Sequence, residues 1–134
     1  MDQVKLKEEQ LNALTAGVGT TYVQGGIKRT VLQKTQFPQG YTINFNLIEV
    51  PAGSSAAPHI HPGLELTYVL DGEFDLVTEG KPDKRFTAGM SYMVEDQDVH
   101  FARVLSANPM KLLCVFVNKE NEPVAKVVGS PEAR

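Results

Sequence analysis

From Tyr22 onward, apolar and polar positions come in short runs with a period close to two. Runs rich in Val, Ile, Leu, Phe, Tyr and Thr are separated by Gly, Pro, Asp and Asn, the texture of β-strands joined by turns. The pattern predicts strands over 26–33, 41–50, 57–61, 65–70, 73–78, 84–87, 91–94, 99–105 and 111–118, with a last short one within 124–128. Asp71-Gly72 lies between two apolar runs and predicts a tight hairpin, since both central turn residues must tolerate positive φ. Many strands at short spacing without interleaved helical periodicity make an all-β sandwich or barrel. The first segment differs. It is polar with apolar points at Val4, Leu6, Leu11 and Leu14, which suits either a short amphipathic helix ended by Gly17 or a terminal arm. The expected division is an arm or short helix over 1–20, one barrel domain over 21–128 and a loose tail over 129–134.

Composition narrows the class. The chain has 134 residues, 42% hydrophobic and 22% charged, with a formal net charge of -3. These values describe a globular domain rather than a disordered or membrane protein. Lys and Arg are scattered, so neither a nucleic acid nor an anionic membrane surface is expected as a partner. The one cysteine, Cys114, sits in an apolar run and reads as a buried strand residue. The N-terminus lacks a basic stretch followed by an apolar one, and no apolar run approaches the ~20 residues of a bilayer span. A cytoplasmic location is the expectation.

The chemistry gathers around three histidines, at 59, 61 and 100. In a strand, residues i and i+2 point to the same face, so His59 and His61 aim their imidazoles together. Beyond the Pro62-Gly63 bend, Glu65 can return a carboxylate to that side, and a neighbouring strand can bring His100. Unpaired polar groups facing inward are costly. Three imidazoles and a carboxylate suit a divalent first-row ion and leave about two octahedral positions open.

The spacing around these residues carries a resemblance. Gly53, five residues, His59, Ile60, His61, three residues, Glu65, six residues and Gly72 resemble the first motif of the cupin superfamily at every defining position. Gly89 and His100 fall on the first glycine and the histidine of the second motif. Its proline, second glycine and asparagine are replaced by Glu95, Gln97 and Val104. The resemblance implies a jelly roll (double-stranded β-helix) of six to eight strands in two sheets. It implies metal ligands at His59, His61, Glu65 and His100, and puts the shape of the Glu95–Gln97 turn in question. Small bacterial cupins grouped as quercetinase-like are similar over Lys28–Leu32 and His61–Glu65.

The function expected is that of a metal-dependent cupin acting on a small organic molecule, with one divalent ion per chain (Mn, Fe, Ni, Zn or Cu). Dioxygenase-like oxidation is the first reading; isomerase or lyase chemistry, or a non-catalytic sensor that binds metal and ligand, are the alternatives. Glu65 is the candidate base as well as a ligand. Alternation places Thr67, Val69, Ala102 and Val104 on the pocket wall, with Tyr92 from the Tyr92–Met93 pair. Phe45 and Leu47 join them, the inward face of strand 41–50 being open to either choice. Leu66, Tyr68 and Leu70 alternate opposite Glu65, an apolar patch that predicts a homodimer.

Overall fold

The structure is a computed structural model that describes residues 19–54, 56–105 and 107–128. The first described elements form a hairpin, β1 (Thr20–Gln24) with β2 (Ile27–Thr35), closed by Gly25 and Gly26 at φ 61° and 77°. Two successive positive φ values make a turn whose twist matches the flanking strands, and glycine adopts them without steric cost. There follow β3 (Tyr41–Val50), β4 (His59–Ile60), β5 (Gly63–Asp71), β6 (Glu73–Thr78), β7 (Lys84–Thr87), β8 (Ser91–Val94), β9 (His100–Val104), β10 (Met110–Lys119) and β11 (Lys126–Val127). Every pairing is antiparallel. A six-stranded sheet runs β1-β2-β3-β10-β5-β8 and a five-stranded one β11-β4-β9-β6-β7. This is the two-sheet jelly-roll arrangement expected, with eleven strands among the described residues rather than six to eight because short pieces count. Among the described residues no helix is long and apolar enough to cross a membrane.

Alternation decides what faces inward. Along β10, Met110, Leu112, Cys114, Phe116 and Asn118 are buried; along β5, Glu65, Thr67 and Val69. Ile27, Ile48, Val50, Phe74, Leu76 and Phe86 complete the apolar core with them. Phe74, Phe86 and Tyr92 touch ring to ring, with centroids 4.9–6.0 Å apart.

Three expectations need correction. Asp71-Gly72 is not a hairpin turn: β5 and β6 belong to different sheets, so the pair forms a corner. Gly72 is pressed there against Met110, where an added Cβ would stand 2.9 Å from a backbone carbon. Thr20 does not belong to an arm but opens β1, a strand exposed throughout and hence without the apolar alternation that announces one. Phe45 and Leu47 face away from the interior; their neighbours Asn44, Asn46, Ile48 and Val50 are the buried set. The expected helix or arm over 2–16 and the tail over 129–134 lie outside the described residues.

Candidate metal centre

The local chain geometry that builds the site starts at Gly63. A Cβ at that position would lie 1.8 Å from the Val117 carbonyl oxygen. Only glycine allows β5 to approach β10 so closely, and two residues later Glu65 enters the interior opposite Phe116. From the other sheet, His59 on β4 pairs directly with His100 on β9. His61 follows β4 and is joined to the turn before β9, where Gln97 N–H donates to its carbonyl at 3.1 Å. That turn is closed by Asp98 N–H to Glu95 O, with Gln97 at φ 67°. The family motif places glycine at Gln97, and the backbone keeps the left-handed conformation without it.

The imidazoles are anchored alike. Nδ1 of His59 donates to Ala57 O at 2.8 Å, that of His61 to Val124 O at 2.8 Å, and that of His100 to Asp98 O at 2.9 Å. A carbonyl oxygen can only accept, so each Nδ1 carries a proton, and Nε2 is the atom that each ring turns toward the others. The three rings lie 4.3–4.9 Å apart by centroid, and their ligating atoms all fall within 4.8 Å of one another. Glu65 Oε1 stands 2.9 Å from His61 Nε2 and 3.5 Å from His100 Nε2. The second contact is electrostatic without hydrogen-bond geometry, and His100 Nε2 is buried with no hydrogen-bond partner. Glu65 Oε2 accepts from the Thr67 hydroxyl at 2.6 Å, and that hydroxyl also lies 3.2 Å from Cys114 Sγ.

This donor set fits a cation. His61, His100 and Glu65 are at most 5% exposed, and lone pairs facing a carboxylate repel unless a positive charge lies between them. With metal–ligand bonds of ~2.1 Å, adjacent ligand atoms stand roughly 3.0–3.4 Å apart, and the observed 2.9 and 3.5 Å bracket that edge. Carbonyl-anchored Nδ1 atoms are also the usual outer support of metal-bound imidazoles.

Protonation follows the same logic. Burial, with His100 adding to it, lowers His59 to about 4, so its ring stays neutral near neutral pH. Burial alone would raise Glu65, but the imidazoles of His100 and His61 outweigh it and hold the carboxyl well below the usual range. Burial first, then the Glu65 charge, raises the Tyr92 phenol and the Cys114 thiol well above their ordinary values. Both remain protonated, and Cys114 is no nucleophile.

The centre opens into a cavity of about 610 Å³ between the sheets. Tyr92, Ala102 and Val104 line it, as do His59, His61, Glu65 and His100. Val69 is fully buried in the core and Thr67 spends its hydroxyl on Glu65 and Cys114, so both face inward without forming that wall. Phe45 lies instead in an outer groove with Leu66, Tyr68 and Met93. Sequence reasoning missed Arg29, Asn44 and Asn46, all of which line the cavity. The available signal was Ile27-x-Arg29-x-Val31, a charged residue inside an apolar set of period two.

Comparison with known proteins agrees with this fold. Among solved structures, an RmlC-like cupin from Shewanella frigidimarina superposes with TM-score 0.61 at 25% identity, over 78% of this chain and 87% of that one. The polyketide cyclase RemF from Streptomyces resistomycificus gives 0.67 at 20% identity, over 87% and 84%. A predicted oxalate decarboxylase from Thermotoga maritima gives 0.64 at 20% identity, over 78% and 96%. No curated protein matches the sequence. Residues 46–116, which hold Glu65 and all three histidines, match the Cupin_2 model, described as a cupin domain, and the chain belongs to that family.

Proposed function

We propose that this cupin holds one divalent ion (Mn, Fe, Ni, Zn or Cu) on His59, His61, Glu65 and His100 and acts on a small organic molecule in the adjoining cavity. The reaction proposed is dioxygenase-like oxidation. The observation that carries the metal reading is the buried, partnerless Nε2 of His100 facing the Glu65 carboxylate. When bound, the ion supplies Lewis acidity toward a hydroxyl–carbonyl or enediol pair and, if redox-active, electron exchange with dioxygen.

The chain's own residues do the rest. The carbonyl-anchored imidazoles keep their lone pairs aimed inward without reorganisation. Thr67 fixes one Glu65 oxygen while the other faces the histidines, so the carboxylate serves as a ligand; swinging away as a base would break a 2.6 Å hydrogen bond. Tyr92 and Cys114 are held protonated. Proton abstraction, the core of isomerase or lyase chemistry, therefore has no free base among these groups, and this favours oxidation. The fold does not choose between them, since its relatives include a cyclase and a predicted decarboxylase.

Elemental analysis of protein purified without added metal, beside His59→Ala, tests the ligand assignment. The expected result is one ion per chain in the parent and strong loss in the variant; full occupancy in His59→Ala overturns it. Oxygen uptake by each metal form against flavonols, diketones and enediols tests the reaction. Binding without oxygen consumption or any product would replace the enzyme reading with a sensor.

A further inference from the structure

The cavity has a second polar end that the metal centre leaves unused. Ile27, Arg29 and Val31 project into it from β2. Arg29 Nε is shielded from solvent and has no hydrogen-bond partner, and on the adjacent strand Asn46 Oδ1 is in the same condition. Among the described residues Arg29 makes no ion pair, whereas its neighbour Lys28 reaches Glu49 at 3.7 Å. Arg29 is only partly buried, but a shielded N–H without an acceptor costs stability, and so does the unmade Asn46 acceptor on the next strand.

Register fixes where this end lies. Asn46 pairs with Cys114, and Cys114 with Thr67. The next inward row is Asn44, Phe116 and Glu65, two residues or roughly 7 Å further along the strands. Arg29 itself pairs with Ile48, and Ile48 with Leu112, one inward row beyond Asn46 and Cys114. Ile48 and Leu112 make the cavity wall apolar beside Arg29, and Phe116 does so beside Glu65.

We propose that Arg29 receives a carboxylate of the ligand, so that the molecule bound here is an organic acid. Its chelating oxygens face the histidines, an apolar or aromatic body spans the cavity, and its carboxylate lies between the Asn46 row and the Arg29 row, roughly 7 to 13 Å from the chelating pair. Asn46 Oδ1 accepts an O–H or N–H donor of the same ligand. Arginine suits the task because its planar fork matches a carboxylate and it cannot shed its charge. This assignment rests on the proposed metal centre and adds the substrate class to it.

The probes are 3,4-dihydroxybenzoate and 3,4-dihydroxybenzamide, which share a catechol for the ion and differ in the charge at the far end. Titration calorimetry on zinc-loaded protein should show the acid bound about 10- to 100-fold more tightly than the amide, the worth of one charge-assisted contact. Arg29→Met should collapse the difference to near unity, and Arg29→Lys should restore part of it. Arg29→Met should also melt at or above the parent temperature, because it removes a shielded N–H that folding leaves without an acceptor. Equal affinities in the parent, or an undiminished preference in Arg29→Met, overturn the inference and leave the metal reading in place. If neither probe binds the zinc-loaded protein, the inference is overturned while the metal reading stands; a protein that takes up no zinc fails the metal reading first.

Discussion

Thr67→Val tests the part of the site that is built from one hydroxyl. The parent hydroxyl donates to the buried Glu65 carboxylate at 2.6 Å, and valine keeps the volume while removing the donor. A hydrogen bond to a charged group is worth about 1.5–3 kcal/mol, and leaving a buried oxygen unmade costs the desolvation as well. The added methyl returns up to ~0.8 kcal/mol by burial, so the net loss in the metal-free protein is roughly 1–2 kcal/mol. At about 2.1 cal/mol/K of unfolding entropy per residue, a chain of 134 residues then melts roughly 3–8 °C lower. Metal affinity should fall about 10- to 100-fold, as when a partner that orients a ligand is lost. Calorimetric melts of the metal-free form and chelator competition with zinc measure the two effects. Thr67→Ser keeps the donor and should retain most of the affinity while losing some packing. If Thr67→Val matches the parent in both assays, Glu65 is not held by this hydroxyl and the case for a fixed ligand fails.

Three further outcomes are expected. His59 titrates at about 4 in the fold against an ordinary 6.5, so between those values the unfolded chain binds a proton that the folded chain refuses; metal-free stability should be intact above pH 6.5 and fall toward pH 4, by up to roughly 3 kcal/mol. Glu65, held below its ordinary value, extends the loss to lower pH in the same direction, and a flat stability profile by denaturant titration would contradict both. Gln97→Gly relieves a left-handed residue at φ 67° and should raise stability by about 0.5–1 kcal/mol, whereas a loss would show that the side chain matters more than the backbone. Leu66, Tyr68, Leu70 and Met93 are 42–51% exposed on one outer face; light scattering should report a homodimer at micromolar concentration, with Tyr68→Lys shifting it toward monomer, and a monomeric parent would remove the patch as an interface.

What the sequence revealed followed how strictly each feature depends on spacing. The histidine pair, Glu65 and His100 were legible because the cupin motif sets fixed residue types at fixed offsets. The strands were legible where one face is buried, as on β5 and β10. β1 was not, since it is solvent-exposed along its length and only its pairing with β2 makes it a strand. The facing of β3 was misleading for another reason. Its interior side meets a cavity and carries Asn44 and Asn46, while Phe45 and Leu47 pack outside, so the more apolar set is not the inner one. Asp71-Gly72 carried the residues of a hairpin and performs a change of sheet, because both need a positive φ at the glycine, 97° here, and only the hairpin needs it at Asp71 as well. Arg29 was passed over because one basic residue in a strand ordinarily points to water, and only the neighbouring sheet shows otherwise.

The carbonyl that steadies His61 belongs to Val124, sixty-three positions further along the chain. The segment that supplies it is tethered lightly: β11 has two residues, both exposed, and Asn118 holds Pro123 O at 3.1 Å while Val128 N–H reaches Pro58 O at 2.9 Å. Short exposed pairings of this kind fray first. Peeling the segment back would free the His61 ring to rotate while removing only the edge strand β11 from its sheet. By reciprocity, an ion on that ring would clamp the end of the chain. Slower amide exchange at Lys126 and Val127 would then report an occupied centre, and cargo would escape by the unzipping of this edge before the barrel itself opened.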